Sequence, residues 1–379
     1  MNACILIDGR PAQGRPRGMG AYVQRLVAAL ALLPDAPRLK VALDKTAGEA
    51  PWTGLREVEY VWGQAGNPIA WEQQVLPKLA AGCGASLLHC TANTSPLSSS
   101  VPYVVTIHDT IFLRSLSKVA DRVTFRQWVA HYYYRYGVGR GARRARVVLT
   151  VSEHSRCELI AKLRLPEAKV KSIPSAEPYP VQALPEEELQ QVLAELQVER
   201  PYVLGLGAID TRKNTANLVR AFARLPRSVV GRLVLAGFEK VEQTRIPALV
   251  EELGIKLRVK ILGYLPQRQL TALFQGAAVF AYPSLAEGFG LPILQAFALG
   301  VPVVTSQSGA LTEVAGPGAR FADPRDPRSI SHELMIALTD PTESHRMAYA
   351  GYLQAKRFNW EATAHKTLDV YRAALKNAV

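Results

Sequence analysis

Short apolar runs alternate with longer amphipathic stretches along nearly all of this chain. The runs at residues 3–8, 39–43, 86–89, 103–107 and 147–151 predict strands, and helical periodicity over 21–33, 71–81 and 121–139 predicts helices between them. A polar stretch punctuated by prolines, 166–185, reads as a linker. Beyond it, a helix over 186–198 leads into strands at 202–206, 233–236, 259–262, 279–282 and 301–305, again separated by helical patterns. This alternation predicts an α/β protein with two doubly wound parallel sheets. The expected domains are 1–180 and 181–357, facing across a cleft. Pattern alone does not say where the last helix, 360–374, packs.

Ligands of open parallel sheets dock at the carboxyl ends of the strands, so the loops after strands are where chemistry is expected. Four such loops stand out. The stretch 287–295 carries Glu287, Gly288, Phe289, Gly290, Leu291 and Gln295, with Pro292 suited to a first helical turn. A carboxylate and open backbone N–H groups then meet at a helix N-terminus, a place for oxygen-rich ligands. The plainer alternative is a strand-to-helix crossover with an exposed Glu. In loop 9–20, Gly18 and Gly20 allow close backbone approach, and Arg10, Arg15 and Arg17 add positive charge for a diphosphate or anionic acceptor. His108, at the end of the 103–107 strand, is placed to donate to a substrate oxygen or to titrate near neutrality. In loop 205–214, Arg212 and Lys213 side by side at a helix start predict a phosphate site.

At 379 residues, 48% hydrophobic and 20% charged, the chain has material for two cores, and no apolar run approaches a membrane span. No secretory leader is expected from the first residues. Four scattered cysteines without a C-x-x-C pair argue against a zinc site or a disulfide scaffold. The net charge of +13 is uneven: residues 1–178 hold 23 Lys/Arg against 13 Asp/Glu, and 118–146 hold eight basic residues against Asp121 alone. Such asymmetry implies an anionic partner for the first half. Within 121–139, Phe125, Trp128, Tyr132 and Tyr136 share one helical face. That face either packs inward as a core stripe or docks on an anionic leaflet with its arginines.

Taken together, Gly18-Met19-Gly20-Ala21-Tyr22, Val105–Asp109, Thr150–Ser155, Gly207–Asn214 and Tyr282–Pro292 resemble the retaining glycosyltransferases of family 4. Phe358-Asn359-Trp360-Glu361 resembles that family's ending. The resemblance spans most of the chain and implies the fold called GT-B, with two Rossmann-like domains. The first would bind the acceptor and the second the nucleotide sugar, and the last helix would return to the first domain. It implies that Arg212 and Lys213 hold the donor diphosphate, and that Glu287 contacts the transferred sugar with help from the N–H groups of 288–291. His108 would lie near the anomeric centre, and Gly18 and Gly20 near phosphate or acceptor. Gln295 stands where the family has a ribose-binding acid, 173–177 replaces its Asn-Gly-Val-Asp-like turn, and Phe112 occupies a common proline position.

The resemblance further implies transfer of a hexose from GDP-mannose or a UDP-sugar to a glycan or lipid-linked acceptor. Retention would follow from front-face substitution, with no metal or other cofactor and no nucleic-acid partner. The enzyme would be cytoplasmic, with peripheral contact to the membrane. Alternatives are a nucleotide-sugar epimerase of the same fold, a basic nucleic-acid-binding protein, or a transferase relative that binds nucleotide without turnover.

Overall fold

The computed structural model describes residues 3–14, 18–52, 55, 58–113, 125–177, 182–207, 210–238, 241 and 244–376; in the helix Phe125–Arg144, side chains are described from residue 131. Arg15, Arg17 and residues 121–124 of the expected helix lie outside them. Among described residues, one compact unit is drawn from 3–113, 125–177 and 358–376, and the other from 182–357.

The first unit is built on seven strands: β1 Cys4–Asp8, β2 Arg38–Asp44, β3 Val58–Gly63, β4 Leu87–Cys90, β5 Tyr103–Thr106, β6 Val147–Thr150 and β7 Val170–Ser172. They lie in the order β3-β2-β1-β4-β5-β6-β7 with every adjacent pair parallel. The second unit holds β8 Tyr202–Leu206, β9 Arg232–Ala236, β10 Val259–Ile261, β11 Val279–Tyr282, β12 Val303–Ser306 and β13 Ala319–Ala322. Their order is β10-β9-β8-β11-β12-β13, also parallel throughout. Strands covered on both faces tolerate little polarity, which is why β1, β5, β8 and β11 read as nearly unbroken apolar runs. In each sheet the strand order reverses at one place: between β1 and β4, and between β8 and β11.

Three strands escape the sequence pattern. β3 alternates in burial along a half-covered edge, while β7 and β13 are only three and four residues long. β7 sits inside the expected linker, so 170–172 belong to the first sheet. The helix expected over 71–81 starts at Pro68, runs through a π-helical turn at Trp71–Val75 and ends at Gly82. That over 121–139 is observed as Phe125–Arg144.

The helix Trp360–Lys376 belongs to the first unit. Tyr371 is fully buried there and its hydroxyl lies 2.6 Å from His89 Nδ1, while His89 Nε2 lies 2.8 Å from the Thr106 hydroxyl. Burial pushes the His89 pKa down to about 3, so the ring is neutral and both nitrogens are satisfied. Arg146 donates to the Ala374 carbonyl at 2.8 Å, and Thr363 Oγ1 to the Pro174 carbonyl at 2.8 Å. The helix is therefore fastened to β4, to Arg146 just before β6 and to the segment after β7.

Candidate active site

Ligands of doubly wound sheets gather where the strand order reverses. At the reversal of the second sheet, the loops after β8 and β11 are stitched together. The Leu285 N–H donates to the Arg212 carbonyl at 2.8 Å. Asn214 Nδ2 donates to the carbonyls of Pro283 at 2.9 Å and Pro324 at 2.6 Å, tying in the loop after β13. Asn214 takes a left-handed conformation, φ +56°, that asparagine tolerates better than most residues. Thr305 Oγ1 on β12 donates to the Tyr282 carbonyl at 2.8 Å, fixing the end of β11.

This scaffold holds a three-membered polar centre. Lys213 Nζ donates to Glu287 Oε1 at 2.8 Å and to the Tyr282 hydroxyl, and that hydroxyl donates to Glu287 Oε1 at 2.8 Å. The ammonium also lies 4.8 Å from the centre of the Tyr282 ring. Burial works against the charge on Lys213, but Tyr282 and the Glu287 carboxylate outweigh it and raise its pKa. Burial would likewise raise Glu287, yet the Lys213 charge and hydrogen bonds hold its pKa below the ordinary value. Burial and the neighbouring carboxylate raise Tyr282 far enough to keep its hydroxyl protonated. The centre is thus a cation, an anion and a neutral donor at neutral pH. An ammonium has three N–H donors, and two are committed to described partners.

Arg212 is held by a second carboxylate, that of Asp210. Its Nε donates to Asp210 Oδ2 at 2.7 Å, and its backbone N–H to Asp210 Oδ1 at 2.9 Å. The two adjacent cations, expected to act on one anion, are held by two different carboxylates.

Gly290 precedes the helix Leu291–Ala298 at φ +116°, and a Cβ there would come within 2.8 Å of Leu311 Cδ2. Only glycine fits that turn, which fixes the loop of Glu287, Gly288 and Phe289 against the helix start. Gln295 lies in that helix, 6% exposed, and its Nε2 has no hydrogen-bond partner among the described residues. Gly205 and Gly207 have a packing reason instead: a Cβ at Gly207 would strike the Phe238 ring, and one at Gly205 the Leu218 side chain.

At the reversal of the first sheet, Thr91 Oγ1 donates to the Asp8 carbonyl at 2.8 Å, joining the ends of β1 and β4. His108 Nε2 lies 2.9 Å from the Thr91 carbonyl, and its backbone N–H donates to Asn93 Oδ1 at 2.7 Å. A carbonyl only accepts, so Nε2 carries the proton. Burial pushes the ring pKa down to about 4, against the opposing pull of the Thr91 carbonyl. Nδ1 is therefore an acceptor at neutral pH. This departs from both expectations for His108, that it would donate to a substrate oxygen or titrate near neutrality: Nε2 is taken by the Thr91 carbonyl and the pKa is lowered. Tyr22 meets the ring edge-on at 4.8 Å and Trp360 at 5.7 Å, so the last helix supports the residue that holds His108 in place.

Asp8 Oδ1 accepts from the Trp71 indole at 3.0 Å and the Arg10 backbone N–H at 3.2 Å. Burial raises its pKa to about 6, with the Glu72 charge adding to the effect. The Arg10 side chain is turned away onto the fully buried Asp44 at 3.0 Å. Asp44 thus takes one of the guanidinium donors expected for the anion cradle, while the side chain stays partly exposed. Gly18, at φ +48°, starts the helix Met19–Ala31, in which Gly20 is buried.

The helix Phe125–Arg144 corrects the idea of an inward aromatic stripe over its described part. Tyr132, Tyr134 and Tyr136 are 52%, 40% and 60% exposed, and Tyr133 points inward, donating to Glu72 at 2.7 Å. The side chains of Phe125 and Trp128 lie outside the described residues. Sequence reasoning missed Tyr282, Asn214, Tyr22, Thr91, Asn93 and Asp8 as parts of these centres. Tyr282, Thr91, Asn93 and Asp8 sit at or just after a strand end, Asn214 caps the helix that follows β8, and Tyr22 sits in the helix after β1; those positions were the available signal.

Comparison with known proteins agrees with this geometry. Residues 16–176 match the model of Glycosyltransferase Family 4 and residues 187–354 that of Glycosyl transferases group 1. The O-antigen chain mannosyltransferase B of Escherichia coli is 33% identical over 71% of this chain and 70% of its own length. The serotype-specific mannosyltransferase WbdA of the same species is 28% identical over 74% of this chain, which spans about a third (35%) of that protein. An Anabaena protein, HepE, solved with UDP and glucose, superposes with a TM-score of 0.72 over 98% of this chain and 100% of that one at 18% identity, a likeness of fold alone. The two parallel sheets are those of the GT-B fold, and the chain belongs to the family 4, group 1 glycosyltransferases.

Proposed function

We propose that this glycosyltransferase moves a hexose, mannose foremost, from a nucleotide-diphosphate sugar to a glycan or lipid-linked acceptor. The donor is GDP-mannose or a UDP-sugar, and the anomeric configuration is retained. The mannosyltransferase names of its relatives support the sugar. The observation that carries the reading is the Lys213–Glu287–Tyr282 centre at the reversal of the second sheet. When the bond between the sugar carbon and the diphosphate oxygen breaks, negative charge collects on the diphosphate. A fixed ammonium with a remaining N–H donor stabilises that charge without a divalent metal. Arg212 joins it by exchanging Asp210 for a phosphate oxygen. Glu287 accepts from hydroxyls of the transferred sugar, with the N–H groups of 288–291 beside it. Gln295 contributes amide hydrogen bonds to the ribose. His108 accepts a hydroxyl hydrogen through Nδ1. The acceptor oxygen forms the new bond on the same face, and its proton passes to the departing diphosphate.

Among the described residues no helix is long and apolar enough to cross a membrane. We infer a cytoplasmic enzyme that meets the membrane peripherally. Three exposed tyrosines and the exposed Arg135 and Arg140 of the helix Phe125–Arg144 support contact with an anionic leaflet, where each basic group contributes about 1 kcal/mol. A panel of nucleotide sugars, screened by thermal shift and then for nucleoside diphosphate release with and without EDTA, tests the whole reading. The expected result is selective stabilisation by one donor and EDTA-resistant release that requires an acceptor. Donor conversion without acceptor would make the chain an epimerase, and activity restored only by magnesium or manganese would overturn the metal-free mechanism.

A further inference from the structure

A cavity of about 620 Å³ opens at the other end of the second sheet, where β8 and β9 begin, with Arg200, Arg232 and Lys260 on its wall. Strand register brings two of these cations to one face. Val234 pairs with Lys260, and Arg232 lies two residues before Val234, so Arg232 and Lys260 project from the same side of neighbouring parallel strands. Arg200 arrives from just before β8, beside the helix Glu186–Glu195 that lines the same space.

The cations are not fully neutralised. Arg232 pairs with Glu199 at 2.9 Å, and Arg200 with Glu186. The partner of Lys260 Nζ among described residues is the amide oxygen of Gln197 at 3.0 Å, which carries no charge. Three cations therefore share two carboxylates, and both carboxylates are more than half exposed, at 78% and 58%. Exposed pairs of this kind contribute little, because water and salt screen them. A phosphate dianion, binding arginine forks through two parallel hydrogen bonds, competes with them on favourable terms. Leu193 and Val198 supply apolar floor, and the volume falls in the usual range for small-molecule sites.

We propose that this cavity is a second anion site, taking a small soluble phosphomonoester or inorganic phosphate. It is separate from the Lys213 centre, because β8 runs between them and its five residues span roughly 16 Å. The site does not rest on the assigned reaction.

The test is calorimetric titration of the full-length protein with inorganic phosphate and with glucose 6-phosphate at constant ionic strength. It is run on the wild type and on the Lys260→Gln, Arg200→Gln and Lys213→Ala variants. The expected result is saturable binding, weakened at least five-fold by Lys260→Gln and by Arg200→Gln, and kept in Lys213→Ala. Circular dichroism and thermal melting show which variants are folded, and either of the two cavity variants suffices. Binding lost in Lys213→Ala but kept in both cavity variants would assign the phosphate to the other end of the sheet and overturn the proposal. Absence of saturable binding would overturn it too. Co-sedimentation with phosphatidic acid vesicles without binding of either soluble phosphate would assign the cations to a lipid surface instead, which also overturns it.

Discussion

At the reversal of the first sheet the loops present the Asp8 carboxylate, with Trp71 and Glu72 beside it, and the neutral ring of His108. At the reversal of the second they present the Lys213 ammonium with Glu287 and the Tyr282 hydroxyl. Both sheets share one strand order around these points. The backbone therefore supplies the same opening twice, and the side chains give it different chemistry: a buried carboxyl and a neutral imidazole in one unit, an ammonium paired with a carboxylate and a phenol in the other. A fold of this kind fixes where a ligand sits but not which ligand.

The largest way to break the contrast is to remove the cation. Lys213→Ala is expected to lower kcat by about a hundred- to a thousand-fold, on the scale of losing one electrostatic stabiliser of the transition state, and to weaken nucleoside diphosphate binding. It also leaves Glu287 without its counter-charge, so a melting curve must accompany the assay. A folded Lys213→Ala enzyme with wild-type kcat would end the comparison. Tyr282→Phe is the next step down. It deletes one hydroxyl that donates to Glu287 and accepts from Lys213 while the strand and the ring stay in place. The expected loss in kcat/KM is about ten-fold, the scale of one hydrogen bond to charged groups. An unchanged kcat/KM would show that Lys213 and Glu287 orient each other without the phenol.

On the other side of the comparison, Asp8→Asn reads the cost of a buried acid. The native pKa of about 6 lies above the ordinary 3.8, so ionising Asp8 disfavours the fold. That cost is fully present above pH 6, shrinks as pH falls through 6, and vanishes below about 4, where both states are protonated. Asparagine keeps the oxygen that accepts from Trp71 and Arg10 without the charge. The variant is expected to be more stable than wild type by on the order of 3 kcal/mol at pH 7.5, with the gap narrowing to roughly a third of that at pH 4.5. Denaturant midpoints at the two pH values measure it. A constant gap would mean that the carboxylate is not the source.

Much of this was legible in the sequence because it rests on strand ends and glycines. Buried parallel strands announce themselves as apolar runs, and Glu287, Gly290 and Lys213 sit in loops that the pattern picked out. What escaped depends on partners far away in the chain. Nothing near Arg10 says that Asp44, thirty-four residues later, accepts from its side chain. The tautomer of His108 depends on a carbonyl seventeen residues earlier, at Thr91. β7 was hidden because three residues, Val170–Ser172, show too little alternation among prolines to be told from linker.

Gln295 gives the finest test of the second centre. Its Nε2 is buried without a partner among the described residues, and an unpaired buried donor costs about 1–3 kcal/mol unless something accepts from it. A ribose hydroxyl oxygen on the bound donor is an acceptor of the right kind. Gln295→Glu exchanges that donor for a carboxylate, which accepts from the same hydroxyl with charge assistance. Because each form has one way to make the bond, the donor Kd is expected to stay within about ten-fold of wild type, and kcat to hold or rise. Gln295→Leu can make neither bond and is expected to bind nucleoside diphosphate more weakly than both. Titration without acceptor separates the three. If the leucine variant binds as tightly as the other two, position 295 does not touch the nucleotide, and the ligand contacts of the second unit end at the Glu287 loop.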